Sequence, residues 1–199
     1  MTYHAKRTTG APGAPLILTF HGTGGTEDQF HSLAESLIPG AHVTSPRGDV
    51  NEGGALRYFR RTGEGVYDMA DLARALAKMA TFIAAEVART GASRVIGLGY
   101  SNGANILAAT AMETPGALTD LILLHPLIPY RPAPQPGLDR KRVLITAGRR
   151  DPICPPALTQ SLADWFTAQG ATTRLVWHDG GHEIAGTERD VILAALAHS

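Results

Sequence analysis

A chain of 199 residues suits one domain spanning 1–199, and 44% hydrophobic with 18% charged residues excludes a disordered polyelectrolyte. Eighteen Lys and Arg balance eighteen Asp and Glu, so no strong field is available to hold a polyanion, which argues against nucleic acid as a partner. The single cysteine, Cys154, permits no internal disulfide. The first ten residues lack a signal-peptide core, and no apolar run is long enough to span a bilayer, so a cytoplasmic protein without stable membrane association is expected.

In chain order, Leu16–Phe20 is a short apolar run behind Pro12, Gly13 and Pro15, the pattern of a buried strand. Residues 30–37 are amphipathic and read as a helix. Residues 41–45 read as a weaker strand, stopped by Pro46. Residues 46–68 have no clear period and are long for a passive loop. Met69–Thr90 carries apolar residues at three- and four-residue steps and meets Gly91, a long helix with its stop. A strand follows at 94–99, then a helix of small and apolar residues at 102–112 that suits the interior of the fold. Residues 121–124 form a strand stopped by Pro126, and the proline-rich stretch 129–137 reads as an ordered surface loop. A strand at 142–146, a helix at 156–169 that opens on prolines and ends at Gly170, a strand at 173–177 and a helix at 188–198 complete the chain. This alternation predicts an α/β fold: a mostly parallel central sheet with helices on both faces. Right-handed crossovers place the strands' C-terminal ends along one edge, beyond which ligands bind.

Four loops on that edge carry chemistry. Gly99-Tyr100-Ser101-Asn102-Gly103 matches G-x-S-x-G between an apolar strand and a small-residue helix. A serine on so sharp a turn needs glycine on both sides, and the turn lifts its hydroxyl above the sheet. His21-Gly22-Thr23-Gly24-Gly25 follows the first strand. Acyl transfer builds negative charge on the former carbonyl oxygen, and two backbone N–H groups must already point there. Asn102, after the serine, supplies one donor, and Thr23 is chosen for the other. A phosphate loop is the competing reading, but neither G-K-[ST] nor G-x-G-x-x-G is present. Asp151 lies on the loop after the strand at 142–146, where an acid can orient an imidazole, although Asp before Pro is also a common turn. Gly180-Gly181-His182 follows the last strand and places a general base. The order Ser101, Asp151, His182 is that of α/β-hydrolases.

The other histidines read as follows: His21 structural, His125 in the core or behind the site, His42 and His178 in strands or at their ends, and His4, His31 and His198 on the surface. None has H-E-x-x-H spacing, so no metal is expected. Cys154 reads as a buried thiol. In the stretch 46–68, Tyr58 and Phe59 are expected to line an acyl or aryl pocket; anchoring that loop onto the fold is the equal alternative.

Together these segments, with Ser45-Pro46-Arg47-Gly48, resemble the phospholipase/carboxylesterase family of small α/β-hydrolases, which includes the acyl-protein thioesterases. The resemblance covers almost the whole chain, and 45–61 looks most like a bacterial carboxylesterase branch. It implies a hydrolase with no large lid, acting without cofactor on short- to medium-chain or aryl esters or on thioesters, and dimers in many members. Many thioesterases of the family carry Gln after the serine. Asn102 here removes one ground for expecting a lipidated protein as substrate. Besides a carboxylesterase, the pattern leaves open an acyl thioesterase, a lysophospholipase and, from another class, a non-catalytic ligand receptor on the same fold.

Overall fold

The computed structural model of the protein describes residues 2–197; the histidine at 198, expected on the surface, lies outside them. Its elements are β1 (Ala5–Thr8), β2 (Leu16–Phe20), α1 (His31–Leu37), β3 (His42–Pro46), β4 (Val50–Glu52), β5 (Ala55–Arg57), β6 (Arg61–Gly63), β7 (Val66–Tyr67), α2 (Met69–Thr90), β8 (Val95–Tyr100), α3 (Asn102–Glu113), β9 (Asp120–Leu124), β10 (Arg142–Gly148), α4 (Pro156–Ala168), β11 (Thr172–His178) and α5 (Glu188–Ala197). Among the described residues the main sheet has seven strands in the order β1-β3-β2-β8-β9-β10-β11. β1 pairs antiparallel with β3, and the other neighbours run parallel.

The two faces follow from side-chain alternation along buried strands. Leu16, Leu18, Phe20, Leu121, Leu123, Val143 and Ile145 pack with α2, α3 and α4 in one apolar core. Ile17, Ile96, Leu98, Ile122, Leu124 and Leu144 pack with α1 and α5 in the other. β2, β8, β9 and β10 are buried on both sides, which is why these segments read as continuous apolar runs. α2 starts where Asp68 accepts from the amides of Ala70 and Asp71 and ends at Gly91 in the left-handed region, φ 66°.

Three glycines set how closely α3 approaches the sheet. A Cβ on Gly97 would meet the Leu107 side chain, one on Gly99 would meet the backbone of Gly103, and one on Gly103 would meet the carbonyls of Phe20 and His21. Backbone cannot give way as a flexible side chain can. Gly103→Ala is therefore expected to destabilise the protein by roughly 3 kcal/mol and to lower the midpoint of urea unfolding.

His31, the stretch after β3 and the unforeseen edge strand β1 depart from the sequence reading. His31, expected on the surface, is 1% exposed: its Nδ1 lies 2.7 Å from Ser45 Oγ and its Nε2 3.0 Å from Thr8 Oγ1. These hydroxyls satisfy both ring nitrogens, and burial lowers the imidazole's pKa. The stretch after β3 is not irregular but folds into two small antiparallel hairpins, β4–β5 and β6–β7, on the edge where the parallel strands end.

Candidate active site

β8 delivers Ser101 to a strained position. Its φ of 51° and ψ of −118° lie where an L-residue with a Cβ is disfavoured. The turn is held by Ser101 N–H on Leu124 O at 2.9 Å and Asn105 N–H on Ser101 O at 2.9 Å. The structure brings three loop residues together there. His182 Nε2 lies 2.9 Å from Ser101 Oγ, and His182 Nδ1 lies 2.7 Å from Asp151 Oδ2. Tyr100 Oη donates to the His182 carbonyl at 2.7 Å and fixes that loop to the end of β8.

Asp151 is buried. Its Oδ1 accepts from the amides of Ile153 at 2.8 Å and Cys154 at 2.9 Å. Burial pushes its carboxyl up, but the Cys154 amide, His182 and the Ile153 amide outweigh that and hold it below the usual range. An ionised Asp151 accepts from His182 Nδ1–H, which leaves Nε2 free as the acceptor facing the serine hydroxyl.

Behind this trio stands His125, fully buried at the end of β9. Its Nδ1 is 3.3 Å from Asp151 Oδ2, and its Nε2 is 3.2 Å from Glu188 Oε1 and 3.3 Å from His178 Nε2. Glu188 also accepts from the Ala185 amide at 2.7 Å, so this cluster joins the loop of Asp151 to the loop that carries His182. Two trios among the described residues are close enough to hold an ion, His125 with Asp151 and His182, and His125 with His178 and Glu188. In the first, the nitrogens and oxygens already serve the hydrogen bonds just given. In the second, His178 Nδ1 accepts from the Gly180 amide at 3.0 Å, which puts the ring proton on Nε2, the atom that would have to ligate.

Cys154 is buried, with Sγ directed to the His125 carbonyl at 3.4 Å. Burial and then the Asp151 charge push its thiol well above the ordinary value, so it stays protonated. His21 holds a structural place: Nε2 accepts from the Gly48 amide at 2.9 Å, which puts the proton on Nδ1, 2.7 Å from the Gly22 carbonyl.

Thr23 and Asn102 border the same cavity as Ser101 and His182, a cleft of about 360 Å³. Neither backbone amide has a hydrogen-bond partner among the described residues. Tyr58 and Phe59, expected to line the pocket, do not. Both are 0% exposed. Tyr58 Oη donates to the Pro46 carbonyl at 2.8 Å, and its backbone N–H donates to Asn102 Oδ1 at 2.8 Å, while Phe59 packs edge-on against Tyr67. They anchor the hairpins to the core, as the alternative reading had it. The cavity wall is instead made by their neighbours Arg57, Arg61 and Tyr67, with Asn105, Leu127 and Ile153. Asn105 Oδ1 accepts from the Leu127 amide at 2.7 Å, and Tyr67 Oη donates to the Leu127 carbonyl.

The glycine-rich loop is itself tied down. Glu27, 7% exposed, takes a two-pronged bond from the Arg47 guanidinium, which holds its carboxyl near 2 against an ordinary value of 4.5. A carboxyl depressed on folding stabilises above its unfolded value, and that stabilisation is lost as pH falls toward its folded value. Acid unfolding is therefore expected to draw on this pair between pH 4.5 and about 2. Glu27→Gln should be less stable than the native protein at pH 7 and should show a shallower fall in melting temperature across that window.

Fold and site together define a hydrolase of the α/β-hydrolase fold. No protein-family model matches the chain, but individual proteins do. MhqD of Bacillus subtilis (strain 168), which carries a hydrolase name, is 38% identical over 177 residues, 88% of each chain. The chain belongs to the phospholipase/carboxylesterase family of small α/β-hydrolases. Among solved structures, Atu2452 of Agrobacterium tumefaciens str. C58, of unknown function, superposes with a TM-score of 0.93 at 52% identity over 98% of this chain and 96% of its own. A Bacillus cereus carboxylesterase superposes with a TM-score of 0.91 at 32% identity over 98% of this chain and 94% of its own. No helix among the described residues is long and apolar enough to cross a membrane.

Proposed function

We propose that the protein is a serine carboxylesterase that cleaves short- to medium-chain or aryl esters through an acyl-enzyme, with Ser101 as nucleophile, His182 as general base and Asp151 as the acid that orients it. The observation that carries this reading is His182, whose two ring nitrogens lie 2.9 Å from Ser101 Oγ and 2.7 Å from Asp151 Oδ2 at the floor of an open cleft. The likeness to a carboxylesterase of Bacillus cereus supports the ester as the substrate bond.

His182 Nε2 takes the hydroxyl proton as Oγ attacks the ester carbonyl, and Asp151 stabilises the imidazolium that forms. The unpaired amides of Thr23 and Asn102 are the donors for the oxyanion. His182 then passes its proton to the leaving alkoxide, the alcohol departs, and water activated by the same imidazole releases the acid. Neither metal nor cofactor enters the cycle. The single thiol, buried and free, suits a cytoplasmic enzyme.

A fluorophosphonate should label the protein once, with the adduct on the peptide that contains Ser101, and p-nitrophenyl butyrate should be hydrolysed at a rate that labelling abolishes. Labelling of Ser101 with no turnover on a graded panel of alkyl esters, aryl esters and thioesters would favour a ligand receptor. Turnover that survives complete labelling would overturn the assignment of the nucleophile.

A further inference from the structure

We propose that the cleft over Ser101 contains an anion subsite built on Arg57 and Arg61, and that the enzyme's substrates are esters that themselves bear a carboxylate. The inference rests on the esterase reading for its turnover, but not for its binding.

Arg57 closes β5 and faces the cleft, yet it is 5% exposed. A guanidinium so far out of water is costly unless its charge and its donors are met. Structural partners account for only part of it. Its Nη1 donates to Thr23 Oγ1 at 2.7 Å and its Nε donates to the Phe59 carbonyl at 3.2 Å. Among the described residues, Nη2 has no acceptor. Its counter-charge is Glu52, with Oε2 3.3 Å from Nε, but that carboxylate is shared. Glu52 is also paired with Arg61 at 2.9 Å, and its side chain is 41% exposed, so water screens it. One screened carboxylate thus serves two guanidiniums that border the same cavity. Burial, and then the charge of Arg61, push the Arg57 pKa below its ordinary value, as expected for a cation short of negative partners.

The other polar walls compete little. Asn105 Oδ1 and Tyr67 Oη are engaged with the backbone of Leu127. Glu64 is the remaining acidic wall residue, and it is exposed at the rim. Asp151 is paired behind His182. A carboxylate fits the planar fork of a guanidinium through charge-assisted bonds, and a substrate carboxylate would supply the acceptor that Nη2 lacks. Because Nη1 of the same guanidinium holds the side chain of Thr23, recognition of the substrate's charge would bear directly on the loop that supplies an oxyanion donor.

The test compares kcat/KM within two pairs of esters, 4-acetoxybenzoate with its methyl ester and monoethyl adipate with ethyl heptanoate, for the native protein, Arg61→Gln and Arg57→Lys. Binding of adipate, which has no bond to cleave, is measured in parallel by calorimetry. The native protein is expected to favour the charged member of at least one pair by about tenfold, the effect of about 1.4 kcal/mol. The pair that responds identifies whether the carboxylate sits on the acyl or the alcohol side. That preference should fall toward unity in Arg61→Gln, whose side chain is exposed enough to spare the fold, and adipate binding should weaken with it. Arg57→Lys keeps the charge but loses the fork, and should also reduce the preference. Preference for the neutral member of both pairs, or a charged-ester preference unchanged in both variants, overturns the proposal. If no ester is cleaved but adipate binds in an Arg61-dependent way, the anion subsite stands and the esterase reading falls. If esters turn over without discrimination and adipate does not bind, the subsite falls and the esterase reading stands.

Discussion

Ser101→Ala is expected to lower kcat for p-nitrophenyl butyrate by about 10⁵-fold or more while leaving the fold intact. In the proposed mechanism the loss is large because the serine and its base act as a unit: without Oγ, His182 would have no hydroxyl to activate, and only the amides and the cleft would remain to stabilise attack by water. Stability should change by less than about 1 kcal/mol, since the substitution removes one half-exposed hydroxyl. The strained backbone persists, because alanine also carries a Cβ and the turn is held by main-chain bonds to Leu124 and Asn105. Circular dichroism and thermal unfolding would establish that the variant is folded. A folded variant that keeps more than a tenth of the native rate would remove Ser101 from the mechanism.

Why the sharp turn at Ser101 is legible in the sequence, and the surroundings of other residues are not, is a matter of what each side chain reports. Gly99 and Gly103 are demanded by backbone approach, since a Cβ at either would strike main chain. Such a demand allows one residue type, so it is visible in sequence. The buried strands were equally plain because both faces are covered, which makes the runs at 16–20 and 121–124 apolar throughout. β1 was not legible: Ala-Lys-Arg-Thr at an antiparallel edge buries little and carries no apolar signature. The hairpins β4–β5 and β6–β7 are two and three residues long per strand, too short to hold a period.

Within the site, the misreading of Tyr58 and Phe59 has a physical cause. An aromatic side chain announces burial, not which enclosed space it fills, and both fill the core beneath the hairpins while Arg57 and Arg61 on either side reach the cleft. Charged residues in a loop read as solvated, so nothing in the pattern marked Arg57 as 5% exposed. His31 misled in the same way: the hydroxyls that satisfy it, on Thr8 and Ser45, are 23 and 14 residues distant in the chain. His125 was placed behind the site from its position at a strand end, but Glu188 as its partner was out of reach, because that pairing spans 63 residues and depends on how α5 returns to the sheet.

Asp151→Asn should be nearly as damaging as loss of the serine, lowering kcat by about 10⁴-fold, and the reason lies in how the native carboxylate is occupied. Oδ1 accepts from two amides, those of Ile153 and Cys154. An asparagine can meet those donors only with its oxygen, so its NH2 must take the place of Oδ2, facing Nδ1 of His182 and Nδ1 of His125. An NH2 donates where the carboxylate accepted. His182 Nδ1 would then have to accept, its proton would move to Nε2, and that proton would point at Ser101 Oγ. The imidazole would keep its position and lose its function as a base. KM should therefore change little, fluorophosphonate labelling should slow in step with kcat, and the melting temperature should stay closer to the native value than in Asp151→Ala, because the Ile153 and Cys154 amides keep their acceptor. Asp151→Ala separates the two contributions. It also leaves the Ile153 and Cys154 amides without their acceptor, so it should lose roughly 2 kcal/mol or more of stability besides its activity. An Asp151→Asn protein that is folded and turns over at the native rate would show that the imidazole does not depend on this carboxylate for its tautomer.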